Sequence, residues 1–97
     1  MIKITESDNV ILVSLPEEFS YRIYQEFRGV YLDRPVGVRY DIDFSQVVSM
    51  DSSALGMLLL MHEHCKSHRC RIRLLHCNSR VAGILSYSSV GSLFELC

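Results

Sequence analysis

The segment from Gly37 to Met61 constrains this chain more than any other. Gly37-Val38-Arg39-Tyr40-Asp41-Ile42-Asp43-Phe44 alternates apolar and polar residues as a strand does, and Leu55 to Met61 is a nearly unbroken apolar run. The start of that run, Met50-Asp51-Ser52-Ser53-Ala54-Leu55-Gly56, carries the residue types that cap helices. A strand therefore hands over to a helix near Asp51, and two hydroxyls fall in the first helical turn. There the backbone N–H groups lack intrahelical partners and the helix dipole favours negative charge. A phosphate on Ser52 or Ser53 would meet donors already in place. The same residues also suffice as plain caps, with no further role.

The rest of the chain fits around this unit. Ile2 and Ile4 alternate with polar neighbours, Asp8-Asn9 marks a turn and Val10 to Leu15 is a second extended run, so the chain opens as a hairpin. After Pro16-Glu17-Glu18, the residues Phe19, Ile23, Phe27 and Val30 recur at helical spacing, which predicts an amphipathic helix over about 18–31. Asp33-Arg34-Pro35 ends it. A third strand follows over about 36–43, the Asp-Ser-Ser helix over about 51–67 and a fourth strand over about 71–76. Asn78 caps a short helix to about 87, and Ser92 to Leu96 supplies a last strand. The order β-β-α-β-α-β-α-β defines an α/β fold, a mixed sheet with parallel crossovers and helices packed against it. Residues 1–97 are expected to form a single domain, too short for a second core and without repeats or linkers.

Asp43, a short spacer and then Asp51-Ser52-Ser53-Ala54-Leu55-Gly56 resemble the signature of the STAS domains, and among them the single-domain anti-sigma factor antagonists. That signature is an aspartate ending a strand, a spacer, and an Asp-Ser-Ser-Gly-Leu-Gly helix start. Ala54 replaces a glycine, which asks only for ordinary helical backbone. Ile72-Arg73-Leu74, Asn78, Val81, Ile84-Leu85 and Leu93-Phe94 are similar to the family's following strand, helix and closing segment, so the resemblance covers nearly the whole chain. It implies that Ser52 is phosphorylated and that the unphosphorylated form binds the partner. Asp51, Ser53 and Met57 then belong to the contact surface, and Asp43, Leu55 and Gly56 to the structural motif. The family's other contact region usually carries a glycine and an acidic residue. Here Leu15-Pro16-Glu17-Glu18-Phe19-Ser20-Tyr21 departs from that pattern, leaving Glu17 and Ser20 as candidates.

With Cys77-Asn78 downstream, the chain looks most like short gammaproteobacterial antagonists that act in transcription regulation, biofilm or motility. The implied partners are an anti-sigma factor or a serine kinase of the GHKL type, released on phosphorylation, and a PP2C-type phosphatase carried on a response regulator. The alternative on the same fold is a non-switching accessory subunit of a phospholipid-transport ABC system, for which Ser52 need not change state. Longer relatives add a C-terminal helix where this chain stops, so a surface they cover is expected to be open here.

The apolar helix itself wraps: at about 100° per residue Met57, Leu60 and Met61 cannot all share a face with Leu55, Leu58 and Leu59. Either part of it faces a partner, a use to which methionines are suited, or the helix is buried on two sides.

Other functions are disfavoured. Lys and Arg total 10 against 11 for Asp and Glu, a formal net charge of -1, which gives no electrostatic case for nucleic acid or an anionic membrane. No run approaches the roughly 20 apolar residues of a membrane span, and Met1-Ile2-Lys3-Ile4-Thr5-Glu6 lacks a signal sequence's apolar region, so a cytoplasmic protein is expected. In that compartment Cys65, Cys70, Cys77 and Cys97 are expected as free thiols, with Cys70 and Cys77 flanking a strand. His62, His64, Cys65, His68, Cys70, His76 and Cys77 suggest a metal, with His64, His68 and Cys65 on one helical face. Their spacing matches no common zinc module, and no metal or cofactor is expected. The helix histidines lie roughly 15–20 Å from Ser52 along the helix, too far for an activating base, and no Gly-rich phosphate loop is present. The chain is expected to be a kinase's substrate and not an enzyme.

Overall fold

In the computed structural model, which describes residues 1–96, strand β1 (Lys3–Ser7) pairs antiparallel with β2 (Val10–Ser14). The two-residue turn between them places Asp8 and Asn9 at φ 48° and 66°, left-handed positions that Asp and Asn tolerate and that match the twist of a hairpin. After β3 (Glu18–Phe19) and a 3-10 turn at Tyr21–Ile23 come α1 (Tyr24–Tyr31), β4 (Arg39–Asp43) and β5 (Ser49–Met50). Then follow α2 (Ser52–His68), β6 (Arg71–Leu75), α3 (Ser79–Ser86), a second 3-10 turn at Ser89–Leu93, and β7 (Glu95–Leu96). The main sheet has the order β1-β2-β4-β6-β7, parallel from β2 onward, and β3 and β5 form a separate parallel pair.

Register explains how the core is built. Ile11 pairs with Tyr40 and Val13 with Ile42, while Ile42 pairs with Leu74, so these side chains share one face of the sheet. That face joins a single buried cluster with Phe27, Val30 and Tyr31 of α1, Ala54, Met57, Leu58, Met61 and Cys65 of α2, and Val81 and Leu85 of α3. The other face carries Leu12, Asp41 and Arg73 side by side. Asp41, only 5% exposed, accepts paired hydrogen bonds from Arg73 at 3.0 Å and from Arg39 at 3.1 and 3.2 Å. The Arg73 contacts, reinforced by Arg39, outweigh burial and hold this carboxyl below its ordinary range.

Several boundaries differ from the sequence expectation, each for a local reason. The helix expected over 18–31 begins only at Tyr24, because Ser20 is extended and its hydroxyl accepts from the Arg22 N–H, capping the 3-10 turn. Phe19 is thereby left in strand conformation. The third strand starts at Arg39 because Gly37, at φ 80°, turns the chain and donates its N–H to His68 O. The last strand shortens to Glu95–Leu96 because Ser88 caps the 3-10 turn before it. In that turn Gly91 lies against α3, and a Cβ there would sit 2.3 Å from the Leu85 carbonyl oxygen. Gly91→Ala should therefore cost about 1–3 kcal/mol by overpacking, read from the urea midpoint; an unchanged midpoint would contradict this packing.

The free-thiol expectation is corrected for two cysteines: Cys65 and Cys70 form a disulfide with a Cα–Cα separation of 4.7 Å. Helix α2 stops when Arg69 takes a left-handed conformation at φ 56°, which folds Cys70 back so that its N–H bonds to Cys65 O. A non-glycine residue in that role gave no signal in the sequence.

Candidate switch site at the start of helix α2

Asp51, the residue after β5, is extended and caps α2, its Oδ1 accepting from the Ala54 N–H at 3.1 Å and from the Ser53 hydroxyl at 2.5 Å. These bonds, that from Ser53 foremost, hold the Asp51 carboxyl below its ordinary range. Ser53 is thus tied to the cap. Ser52, the first residue of this 17-residue helix, is exposed, and its hydroxyl makes no hydrogen bond among the described residues. The two serines, alike in sequence, differ in availability.

Two flanking segments fix the approach to this site. The Glu17 carbonyl accepts from Val48 N–H at 2.8 Å and Ser49 N–H at 3.1 Å, and the Phe19 carbonyl accepts from Asp51 N–H at 3.4 Å. The stretch before α1 is thereby joined to the stretch before α2, and exposed Glu17 lies in the first of them. Below them Phe19 packs against Phe27 and Phe44 with ring centroids 5.4 and 5.8 Å apart. From the other side, Asn78 donates to Val47 O at 3.2 Å while capping Val81, and Arg80 donates to Val48 O at 3.2 Å. These supports from α3 were not anticipated, because contacts between positions some thirty residues apart leave no local pattern.

The remaining candidates divide. Asp43 ends β4 and accepts from Ser45 N–H and from His76 Nδ1, both at 2.9 Å, so it shapes the turn leaving the sheet. Burial alone would raise its pKa, but the bonds from His76 and Ser45 prevail and lower it. Leu55 packs against the core, whereas Gly56 is exposed with no atom outside its own helix within 4 Å of where a Cβ would sit. Ser20, expected at the partner surface, is 5% exposed and occupied as a cap. Met57, also expected there, is 3% exposed, because the sheet-facing stripe of α2 runs through Ala54, Met57, Leu58, Met61 and Cys65. Leu59 and Leu60, 39% and 51% exposed, form the apolar part of the open face instead. Among the described residues no three His, Cys, Asp or Glu side chains group as a metal site, and no helix is long and apolar enough to cross a membrane.

These ionisations fix the acid response. Asp41, Asp43 and Asp51 have folded pKa values below their unfolded ones, so the unfolded chain binds more protons and stability falls with pH through about 4. His64, desolvated and beside His68, is also lowered, so protonation favours unfolding and a shallower loss begins below about 6.5. Urea midpoints measured against pH should show both steps. Asp41→Asn should lower stability at neutral pH by about 1–3 kcal/mol and reduce the second step; an unaltered acid limb would contradict the assignment to Asp41.

Comparison with known proteins agrees with the class this architecture and helix cap define. The family model described as "Mlab, STAS domain" matches residues 2–95. The chain belongs to the STAS domain family, whose members are typically binding modules. A STAS-domain containing protein of Pseudomonas aeruginosa (strain UCBPP-PA14) is 32% identical over 87 residues, 89% of this chain and 86% of that protein. The anti-sigma factor antagonist SpoIIAA of Bacillus, known in unphosphorylated and phosphorylated forms, superposes in the former with a TM-score of 0.72 at 13% identity, covering 100% of this chain and 87% of that one. A sulfate transporter family protein of Wolinella succinogenes superposes with a TM-score of 0.76 at 17% identity, over 92% of this chain and 75% of that one. At these identities the two structural matches establish the fold.

Proposed function

We propose that this chain is a cytoplasmic, single-domain interaction module switched by phosphorylation of Ser52, acting as an anti-sigma factor antagonist does. The observation that carries the reading is the contrast at the helix start: Ser52 is exposed with its hydroxyl unengaged, while the Ser53 hydroxyl is bonded to Asp51. The unphosphorylated form binds an anti-sigma factor or a GHKL-type serine kinase, and a PP2C-type phosphatase on a response regulator restores it. No catalysis is asked of the chain itself.

The contact surface consists of Asp51, Ser52, Ser53 and Glu17, with Ser20 and Met57 acting beneath it as a cap and a core residue. Leu59, Leu60 and Gly56 extend it, because positions four, seven and eight along from Ser52 share its side of the helix. A glycine in a helix interior costs about 1 kcal/mol relative to alanine, and at Gly56 nothing inside the domain uses the space. It lets a partner approach the backbone beside Ser52. Phosphorylation adds roughly -1.5 to -2 charges beside Asp51. The helix terminus tolerates that charge within the domain, but a partner fitted to a neutral hydroxyl must desolvate or repel it.

Intact-mass analysis with site mapping on the protein from its own host, across growth states, tests the reading. An addition of about 80 Da at Ser52 that varies with state is expected. An unmodified chain in every state, held in a stable complex, would support the second reading, a non-switching subunit of a phospholipid-transport ABC system. The same fold occurs in a sulfate transporter family protein, so the architecture is compatible with a role in a transport assembly.

A further inference from the structure

The far end of α2 holds a second chemical feature. A cavity of about 280 Å³ lies between the last turns of α2, the start of β6 and β7, and Cys65 and Cys70 line it together with Lys66, Arg71 and Glu95. The two cysteines are bridged across the turn that ends α2. We propose that Cys65 and Cys70 form a reversible dithiol/disulfide site that exchanges with small-molecule disulfides of the glutathione type admitted by this cavity.

Three observations support the proposal. Backbone hydrogen bonds close the same turn that the bridge spans, the N–H groups of Arg69 and Cys70 both bonding to Cys65 O, so the turn does not depend on the bridge alone. The cysteines are five positions apart, and a bridge over so short a loop constrains the unfolded chain less than one spanning a domain. The two sulfurs are also unequally reachable: Cys65 is 4% exposed within the core, whereas Cys70 is half-buried at the surface of the cavity. Lys66 and Arg71 place cations in the lining, which favour a thiolate and the carboxylates of a glutathione-type reagent, with Arg71 also 3.6 Å from Glu95.

The order of reaction follows from access. The Cys70 thiolate attacks one sulfur of the small disulfide, forming a mixed disulfide and expelling one small thiolate. The Cys65 thiolate then attacks the Cys70 sulfur, closing the protein disulfide and expelling the second. Two protein thiols are oxidised and one small disulfide is reduced to two thiols; the reverse sequence reopens the bridge.

The full-length protein, equilibrated in buffers running from reduced to oxidised glutathione, then alkylated and peptide-mapped, tests this. A Cys65–Cys70 linkage should rise from absent to complete within that range, and reduction should lower Tm by about 5–15 °C without unfolding the domain. Cys65→Ser should stop at a glutathione adduct on Cys70, adding about 305 Da, while Cys70→Ser should leave Cys65 unmodified. A linkage that never forms, or one that persists in reduced glutathione alone, would overturn the proposal. Equal adduct formation on Cys65 in Cys70→Ser would overturn the reaction order.

Discussion

Ser52→Asp should weaken partner binding by about 30- to 1000-fold, while Ser52→Ala should hold it within about threefold. An uncompensated charge in a desolvated contact costs on the order of 2–4 kcal/mol, which sets that range. The domain itself should not suffer, because Ser52 is exposed at the first position of α2, where an acidic side chain is favoured by the helix dipole. Thermal unfolding of the two variants should therefore match the parent, separating loss of binding from loss of fold. Titration calorimetry against the partner that co-purifies with the unmodified protein reads the difference. Equal affinity for Ser52→Asp and Ser52→Ala would remove the basis for a switch at this residue.

Phe19→Ala should cost about 3–5 kcal/mol, the range for truncating a fully buried aromatic. For a domain of this size that corresponds to a fall in Tm of more than about 10 °C. The effect reaches the site, because the ring packs on Phe27 and Phe44 beneath the β3–β5 pair, and the Phe19 carbonyl holds the Asp51 N–H. Amide exchange at Ser49–Asp51 should accelerate in this variant beyond what the global loss of stability accounts for. Protection there that merely tracks global unfolding would show that the aromatic cluster does not support the switch site.

Phe19 also shows what a sequence can convey. Its spacing to Ile23, Phe27 and Val30 identified a set of residues that all face the core, yet only the last two lie in α1. Periodicity reported the buried side of the segment, and the Ser20 cap decided the backbone conformation along it. The pairing of β3 with β5 was not legible, since two residues are too few for a pattern and their partners lie about thirty positions away. Strands β1, β2, β4 and β6 and helix α2 were legible because alternating and apolar runs of that length leave few other arrangements.

At the site, the Asp51 cap could be read from residue type alone, but the distinction between Ser52 and Ser53 could not. It depends on the direction of one hydroxyl, the Ser53 donor to Asp51. The exposed side of α2 was equally hidden. A helix apolar around most of its circumference has no preferred face of its own, and the sheet, α1 and the turn at Ser89–Leu93 determine that Met57 is covered while Leu60 is open.

The most direct measurement separates the protein from its host into partner-bound and free pools by size exclusion and maps phosphate occupancy in each. The account predicts an unmodified Ser52 in the bound pool and phosphate on Ser52 in the free pool, with Ser53 unmodified in both. Equal occupancy of Ser52 in the two pools, or phosphate carried on Ser53, would contradict it.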